Sequence, residues 1–274
     1  MTKSDCLCSN KTTYFTPIII YKNETTFKEY NGIVIGKCQS CGLLKTIKQT
    51  KSFNPKQSRF EMYEQKKDLF ISLFNPIIDK IIKFKKKGKI LDVGCSSGIL
   101  LELLKKKNFD IYGVEPNKNA FKISYKKFKN KIYNGTLIDL SNKKGKSYKQ
   151  FDVIIYNHVL EHIADVHNEL QCINLYLKEN GIIIIGVPNT QNIIFFLRQK
   201  YWELLMPKEH VWHFSQKNLK SIIKKNNYNI LDISFSNDNR QDYSLLKRVY
   251  FLFLSLINTL FNTGESMLLV CKRK

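Results

Sequence analysis

Residues 90–101 read I-L-D-V-G-C-S-S-G-I-L-L, an apolar strand that runs into a glycine-containing turn and then into a helix. Gly94 allows the backbone to turn sharply and to approach a ligand closely, and Gly98 opens the helix. Asp92 can accept a hydrogen bond from a cationic group of that ligand. A strand, turn and helix of this kind suits several nucleotide cofactors about equally well, so the flanking sequence has to decide between them.

Short apolar runs alternate with helical patterns from residue 89 onward, which predicts βαβ units and a parallel sheet. Seven strands are predicted, at residues 89–93, 111–115, 131–134, 151–156, 182–187, 229–234 and 267–271. Helices are predicted between them, at residues 98–107, 117–128, 165–177, 191–201 and 216–226. Glu115 ends the second strand, where a carboxylate can accept both hydroxyls of a ribose.

Changes of pattern divide the chain into three regions. Residues 1–55 form a cysteine-rich segment whose short apolar runs, at 16–21 and 32–36, predict hairpin strands. Residues 56–87 form a helical connector, in which Pro76 predicts a break between two helices. Residues 88–274 form the α/β domain.

Five sequence words resemble those of class I S-adenosylmethionine-dependent methyltransferases, and within them the bacterial group that includes ubiquinone-pathway and sugar methyltransferases. The words follow the family's order and are L-D-V-G-C-S-S-G (91–98), Y-G-V-E-P-N (112–117), F-D-V-I-I-Y-N-H-V-L-E-H-I (151–163), L-K-E-N-G-I-I-I-I-G-V-P-N (177–189) and E-H-V-W-H-F-S (209–215). The resemblance covers about residues 60–274. It implies a Rossmann-like, doubly wound α/β sheet of seven strands with the last antiparallel, and a cofactor lying across the carboxyl ends of the strands.

The resemblance also implies which residues contact the cofactor, S-adenosyl-L-methionine. The matching residues are Asp92, Gly94, Cys95, Ser96, Gly98, Glu115, Pro116, Thr136, Leu137, Asn157, His158 and Leu160. Asp92 and the glycines match the motif around the methionine part, Glu115 matches the ribose acid, and Thr136 and Leu137 fall where adenine contacts lie. Ser96 stands where the family usually has a glycine.

Methyl transfer to a hydroxyl requires a general base, and histidine has a suitable pKa near neutral pH. His158, Glu161 and His162 follow the fourth strand at i, i+3 and i+4, which predicts one face of a helical turn beside the reacting methyl group. His158 and His162 are therefore the leading base candidates, and a purely structural role is the alternative. The same letters, H-x-x-E-H, occur in a class of zinc proteases, but their position inside the methyltransferase words argues against that interpretation.

An aromatic segment follows the fifth strand and is predicted to belong to an acceptor-lid insertion at about residues 190–226. His213 in this segment is an alternative base, and packing is the competing interpretation of its side chain.

Two close cysteine pairs lie in the first region, Cys6 with Cys8 and Cys38 with Cys41. Four thiolates on two short turns predict a structural, zinc-ribbon-like site, because zinc can fold a segment that is too small to bury a core of its own. The first pair is C-x-C rather than C-x-x-C, so unligated thiols are the alternative. The arrangement resembles the cysteine-rich N-terminal segment of certain deoxysugar C-methyltransferases. An odd total of seven cysteines and a start without an apolar leader predict a reduced, cytoplasmic protein.

The net charge of +22 would attract nucleic acid or an anionic membrane, although abundant lysine also accompanies asparagine and isoleucine in compositionally biased sequences. Residues 245–261 are the most apolar stretch and are shorter than the roughly 20 residues that a membrane-spanning helix needs. Burial against the sheet or a partner is the expectation for this stretch, and association with a membrane surface is the alternative.

The predicted function is methylation of a small-molecule or glycan acceptor, at oxygen. Methylation of ribosomal or transfer RNA is a second interpretation, motivated by the charge and the cysteine segment. Against it, residues 157–160 lack the proline-rich word that is usual for methylation of adenine amino groups, and lack a cysteine suited to attack a pyrimidine ring. A catalytically silent cofactor-binding module is a third interpretation. The oligomeric state is left open by the sequence.

Overall fold

The fold is known from a computed structural model, which describes residues 1–8, 12–48, 67–144, 150–237 and 243–274. Its strands are β1 (Thr2–Asp5), β2 (Thr12–Ile20), β3 (Val34–Cys38), β4 (Leu44–Lys48), β5 (Lys89–Val93), β6 (Asp110–Glu115), β7 (Ile132–Asn134), β8 (Phe151–Asn157), β9 (Leu177–Pro188), β10 (Trp212–His213), β11 (Tyr228–Ser236) and β12 (Ser266–Arg273). Its α-helices are α1 (Lys67–Phe84), α2 (Ile99–Lys106), α3 (Lys118–Phe128), α4 (Leu137–Lys144), α5 (Val166–Tyr176), α6 (Ile193–Arg198), α7 (Gln216–Lys225) and α8 (Leu245–Leu260).

The larger sheet has seven strands in the order β11-β12-β9-β8-β5-β6-β7. Strands β5 to β9 pair in parallel, whereas β12 is antiparallel to both β9 and β11. The predicted seven strands and the antiparallel last strand are therefore confirmed. Strand order reverses on either side of β5, so its carboxyl end borders the crevice where ligands bind in open α/β sheets.

Helices cover both faces of this sheet, because successive residues of each buried strand point to opposite sides. Ile90 of β5 and Val153 of β8 pack with α1 and α2 on one face. Leu91 and Ile154, their neighbours along the chain, pack with α4, α5 and α7 on the other. The described residues thus form the doubly wound α/β fold.

The predicted break at Pro76 is wrong, because α1 continues from Lys67 through Pro76 to Phe84. Proline inside a helix costs about 3 kcal/mol through a lost hydrogen bond and a steric clash. The helix nevertheless buries Phe74, Ile77 and Ile81 against the sheet. Each such side chain contributes about 1.5–3 kcal/mol when it is fully buried, so the burial outweighs the cost of the proline. The boundary at residue 55 and the first part of the connector, 56–66, lie outside the described residues.

The smaller sheet has five strands in the order β1-β2-β3-β4-β10, with neighbours antiparallel. The predicted hairpin strands of the cysteine-rich region are present as β2 and β3. The fifth strand, β10, comes from the predicted acceptor lid, with Trp212 opposite Lys45 and His213 opposite Leu44. The cysteine-rich segment is therefore completed by a strand from the methyltransferase-like region.

Most of residues 245–261 is not buried within the described chain, so the predicted burial against the sheet is wrong for most of the segment, whereas burial against a partner stays a prediction. These residues form α8 and the residue after it, and the helix buries only Phe251, Leu254 and Asn258. Spacings of three and four place these on one narrow stripe, which leaves most of the helix surface outside the core. Among the described residues, none of the helices combines the length and the apolarity that a bilayer span demands.

Trp212 joins the two sheets, so its truncation tests whether they form one core. Its side chain is 2% exposed, packs in the core shared by both sheets, and donates an indole N–H to the carbonyl of Ala164 at 3.1 Å. We expect Trp212→Ala to lower the free energy of unfolding by about 3–5 kcal/mol in urea denaturation. Phe196→Ala, a truncation of an exposed aromatic ring, should change it by less than about 0.5 kcal/mol. Equal effects of the two substitutions would contradict a shared core.

Candidate active site

The glycine turn after β5 has the shape that the sequence predicts. Gly94 and Gly98 have φ of 73° and 81°, in the left-handed region that favours glycine. A Cβ added to Gly94 would lie 2.6 Å from Cγ2 of Val159, in the loop after β8. Any side chain at position 94 would therefore clash with that loop, and only glycine allows the turn and the loop to approach this closely.

Glu115 ties the loops after β5 and β6 together. Its carboxylate accepts hydrogen bonds from the backbone N–H groups of Ser96 at 2.8 Å and Asn117 at 2.7 Å. Ser96 itself has φ of 50°, a conformation that is unusual for a residue with a side chain. The bond to Glu115 helps to hold this conformation.

Asp92 is buried at the end of β5, in the same environment as Glu115. Burial, and then the negative charge of Glu115, raise the pKa of Asp92 to about 8. The two carboxyl groups that the sequence analysis assigned to one cofactor therefore interact with each other electrostatically. A cationic ligand group placed beside them would favour the charged form of Asp92.

A small, open cleft lies against the glycine turn. It is lined by Phe74, Asp92, Gly94, Cys95, Ser96, Ser97, Ile99, Leu100 and Asn157. Five of the predicted cofactor residues are in this set, at the ends of β5 and β8. Sequence reasoning missed Phe74, because its helical spacing in α1 indicated only a core position.

The remaining predicted cofactor residues differ in how their side chains are placed. Thr136 is exposed. Its N–H and its hydroxyl both donate to the carboxylate of Asp139 at 2.8 Å, and these bonds lie at the start of α4. The side chains of Leu137 and Leu160 are fully buried in the core, so only their backbone groups remain to contact a ligand. Pro116 is exposed beside Glu115.

Cys95 behaves as a small core residue. Its sulfur packs against Gly113 of β6, where an added Cβ would lie 2.6 Å away. Burial raises the pKa of its thiol well above the usual range. The thiol is therefore not activated as a nucleophile.

His158 occupies a strained position at the tip of β8. It has φ of 54°, and its backbone N–H donates to the carbonyl of Gly186 at 2.8 Å. Its side chain is 37% exposed, and Nδ1 lies 3.4 Å from Oε1 of Glu161. His158 directly follows Asn157, which lines the cleft, whereas its own side chain lies beside Glu161 and is not part of the cleft lining.

Glu161 is the centre of a group of histidines. It is 1% exposed, and neither carboxylate oxygen has a hydrogen-bond partner within the described residues. His158 lies on one side of it, and Nε2 of His210 lies 3.8 Å from Oε1 on another. Three side chains could each offer one ligand atom to a metal ion, those of Glu161, His162 and His210. These three atoms lie within 4.8 Å of one another, which is close enough for them to share a cation.

His162 and His213 have different surroundings from His158. Nδ1 of His162 lies 2.9 Å from the backbone carbonyl of Glu209, with the ring edge-on to His210. His213 is 4% exposed, and its Nε2 lies 3.0 Å from the hydroxyl of Thr46 in β4. Burial lowers the pKa of His213 to about 3, so this ring is neutral at physiological pH.

The four cysteines of the first region come together in space. Sγ of Cys6 lies 3.6 Å from Sγ of Cys41, Sγ of Cys8 lies 4.0 Å from Sγ of Cys38, and all four sulfurs lie within 4.8 Å of one another. A tetrahedral zinc site with Zn–S bonds of about 2.3 Å places its sulfurs about 3.8 Å apart. The hydrogen bond between the thiols of Cys6 and Cys41 lowers the pKa of Cys41 and raises the pKa of Cys6, so the pair by itself favours one thiolate, at Cys41.

Comparison with known proteins extends this description. Residues 63–233, more than half of the chain, match the family model described as a methyltransferase domain. The ubiquinone biosynthesis O-methyltransferase of Pelagibacter ubique is 28% identical over 203 residues, covering 62% of this chain and 84% of the relative. The mitochondrial enzyme of the same name from Homo sapiens is also 28% identical, over 153 residues, but the match covers only 42% of its length.

Solved structures share the fold. A SAM-dependent methyltransferase from Archaeoglobus fulgidus matches with a TM-score of 0.58 at 19% identity, covering 78% of this chain and 99% of that protein. The plantazolicin methyltransferase BpumL, solved in complex with SAH, matches with a TM-score of 0.54 at 16% identity, covering 81% of this chain and 91% of BpumL. The chain therefore belongs to the methyltransferase family that its residues 63–233 match, and it is an S-adenosylmethionine-dependent methyltransferase.

Proposed function

We propose that this enzyme methylates a hydroxyl oxygen of a small-molecule or glycan acceptor, with His158 as the general base. The observation that carries the proposal is the position of His158, directly after the cleft-lining Asn157 at the tip of β8 and beside the buried carboxylate of Glu161. The relatives named as O-methyltransferases support oxygen as the acceptor atom, at 28% identity.

The residues around the cleft fit S-adenosylmethionine. The glycine turn packs so closely on the loop after β8 that a Cβ at Gly94 would clash with Val159, and Asp92 is a buried carboxyl group that a cation would stabilise in its charged form. Glu115 is oriented by two backbone N–H groups, and a carboxylate has about four acceptor positions with which to bind ribose hydroxyls as well. When bound, the cofactor supplies an activated methyl group, so the protein has to align the acceptor and exclude water.

His158 is favoured over the other two histidines by exposure and by its neighbour. A base must reach the acceptor, and His213 is buried, neutral and hydrogen-bonded to Thr46. Nδ1 of His162 already faces a backbone carbonyl. Glu161 lies behind the ring of His158, where its carboxylate orients the imidazole and stabilises the imidazolium formed when His158 removes the acceptor proton.

The raised pKa of Asp92 predicts that cofactor binding depends on pH. Below about pH 8 the free enzyme holds Asp92 protonated, whereas the cationic cofactor favours the carboxylate. Binding then releases a proton, so the affinity should rise by up to about tenfold per pH unit between about pH 6 and 7.5. Isothermal titration calorimetry with S-adenosylmethionine, in buffers that differ in ionisation enthalpy, measures both the affinity and the released proton.

The control is Asp92→Asn, which cannot ionise. Its affinity should be lower, and it should follow only the pH dependence of the ligand itself. The same proton release in the variant and in the unaltered enzyme would contradict a role for Asp92 at the cofactor.

The second prediction concerns the base. His158→Ala should lower kcat by about 10²–10⁴-fold and leave the Kd for S-adenosylmethionine nearly unchanged, because a base acts on the acceptor only. Steady-state kinetics on phenolic and sugar hydroxyl acceptors, together with calorimetry, separate the two effects. His162→Ala is the matched comparison within the same histidine group. Full turnover by His158→Ala, with a deficit in His162→Ala, would transfer the role to His162.

We also propose that Cys6, Cys8, Cys38 and Cys41 hold a structural zinc ion. The spacing of the four sulfurs supports this proposal, as does the way in which the second turn is fixed to the body of the enzyme. Asn218 of α7 donates to the carbonyl of Cys41 at 2.9 Å. A site of four thiolates requires reduced cysteines, so we place the enzyme in the cytoplasm.

The zinc proposal predicts about one equivalent of zinc per purified chain, measured by inductively coupled plasma mass spectrometry. Cys38→Ser should remove the metal and lower the melting temperature, because the zinc site stabilises the smaller sheet. Cys172→Ser, which alters a cysteine outside the cluster, should retain both metal and stability. A metal-free chain with the stability of the unaltered enzyme would refute the proposal.

A further inference from the structure

Helix α8 presents an apolar face that the rest of the described chain leaves uncovered. Nearly half of the strongly exposed large apolar side chains lie between residues 245 and 261. We define the α8 face by Leu246, Val249, Leu252, Phe253, Leu256 and Leu260, of which Leu246 is 84% and Leu252 is 67% exposed. Clusters of this kind on a folded protein mark sites of protein or membrane interaction.

The α8 face continues onto α6, at the start of the predicted acceptor lid. Phe196 and Leu197 of α6 are exposed beside it, at 70% and 52%. The two helices are fixed to each other, because the buried Asn258 of α8 accepts the backbone N–H of Ile193 at 3.0 Å. The guanidinium of Arg198 also lies 5.2 Å from the centre of the Phe251 ring. These contacts come from the buried stripe of α8 and hold α6 alongside the helix, so that the exposed Phe196 and Leu197 lie on a helix next to α8.

The charged side chains along α8 are all positive. Residues 245–262 contain Lys247 and Arg248 and no acidic residue, and the whole chain carries +22. An apolar helix face with a few cations at one end is the pattern of helices that lie in the plane of a membrane interface. Anionic lipids attract such cations over about a Debye length.

We propose that the α8 face docks this enzyme on the surface of an anionic membrane, with α8 lying in the interface and Phe196 and Leu197 inserted beside it. A second copy of the chain is the competing occupant. Pairing the same face would bring together two chains that each carry a net charge of +22, and this repulsion opposes the dimer. An anionic bilayer instead provides both the apolar layer and the opposite charge.

The test is co-sedimentation of the full chain with vesicles of phosphatidylcholine alone and of phosphatidylcholine mixed with phosphatidylglycerol. We expect binding to the anionic vesicles that weakens as salt is added, and weak binding to the neutral ones. The double variant Leu252→Glu and Leu256→Glu should reduce the binding roughly tenfold or more, because it puts charge into the inserted face. Both leucines are exposed, so circular dichroism should show the fold retained.

Leu231→Glu is the matched control, since Leu231 is an exposed leucine on β11, outside the α8 face, and its substitution should leave vesicle binding unchanged. Lys247→Gln with Arg248→Gln should remove most of the preference for anionic lipid. Light scattering after gel filtration tests the competing occupant. A dimer that the double variant dissociates, together with no binding to anionic vesicles, would overturn the proposal, as would equal loss of binding in the Leu231→Glu control.

Discussion

The cofactor site depends on the carboxylate of Glu115, which holds the loops after two neighbouring strands together. The turn after β5 takes left-handed conformations at Gly94 and Ser96, and Glu115 accepts the N–H of Ser96 and the N–H of Asn117 at once. The same negative charge acts on the buried Asp92 and raises its pKa. One side chain thus supports the shape of the turn and adds to the effect of burial, the larger cause, on the pKa of its neighbour. A ligand that carries hydroxyls and a positive charge satisfies both carboxyl groups, whereas a neutral or anionic ligand would leave Asp92 protonated.

The acceptor side is supported from the opposite direction, by the cysteine-rich sheet. Thr46 of β4 donates its hydroxyl to the carbonyl of His210 at 2.8 Å and its backbone N–H to the carbonyl of Val211 at 3.0 Å. Val211 in turn donates its N–H to the carbonyl of Glu161 at 2.9 Å. These three bonds run from the smaller sheet to the residues behind His158. The cysteine cluster belongs to the sheet that begins this chain of contacts, so the stability of that sheet bears on the position of the proposed base.

The larger sheet could be predicted because its signals are local. Seven apolar runs separated by helical patterns specify parallel strands, and the glycine turn with a carboxylate after the next strand locates the nucleotide crevice. The wrong predictions have non-local causes. Pro76 stays within a helix because Phe74 and its neighbours are buried on the sheet. Local helix propensity does not include the free energy of that burial. Strand β10 has two residues and is defined only by its pairing with β4, more than 160 positions earlier in the chain.

Within the candidate site, residue type was easier to predict than residue environment. The spacing of His158, Glu161 and His162 correctly indicated a compact group after β8, which the structure shows as a short 3-10 turn at Leu160–His162. The sequence did not indicate that Glu161 would be buried without a hydrogen bond. Its surroundings include His210, which comes from a segment distant in the chain, so local spacing could not predict them. Nor did the sequence distinguish the exposed ring of His158 from the buried ring of His213, since burial is a property of the assembled fold.

Residues 190–226, the predicted acceptor lid, are anchored to the rest of the chain in a way that argues for a fixed shape. The first residues of the lid are held by Asn192, which caps α6, and by Asn258 of α8. Its middle is held through Trp202, whose indole N–H donates to Glu265 at 2.8 Å, and its far part is paired with β4 as β10. Buried hydrogen bonds at three separated points leave little room for the segment to open as a hinged flap, because each opening would expose or unpair polar groups. Residues 190–226 therefore form a fixed wall beside the rest of the chain rather than a hinged flap.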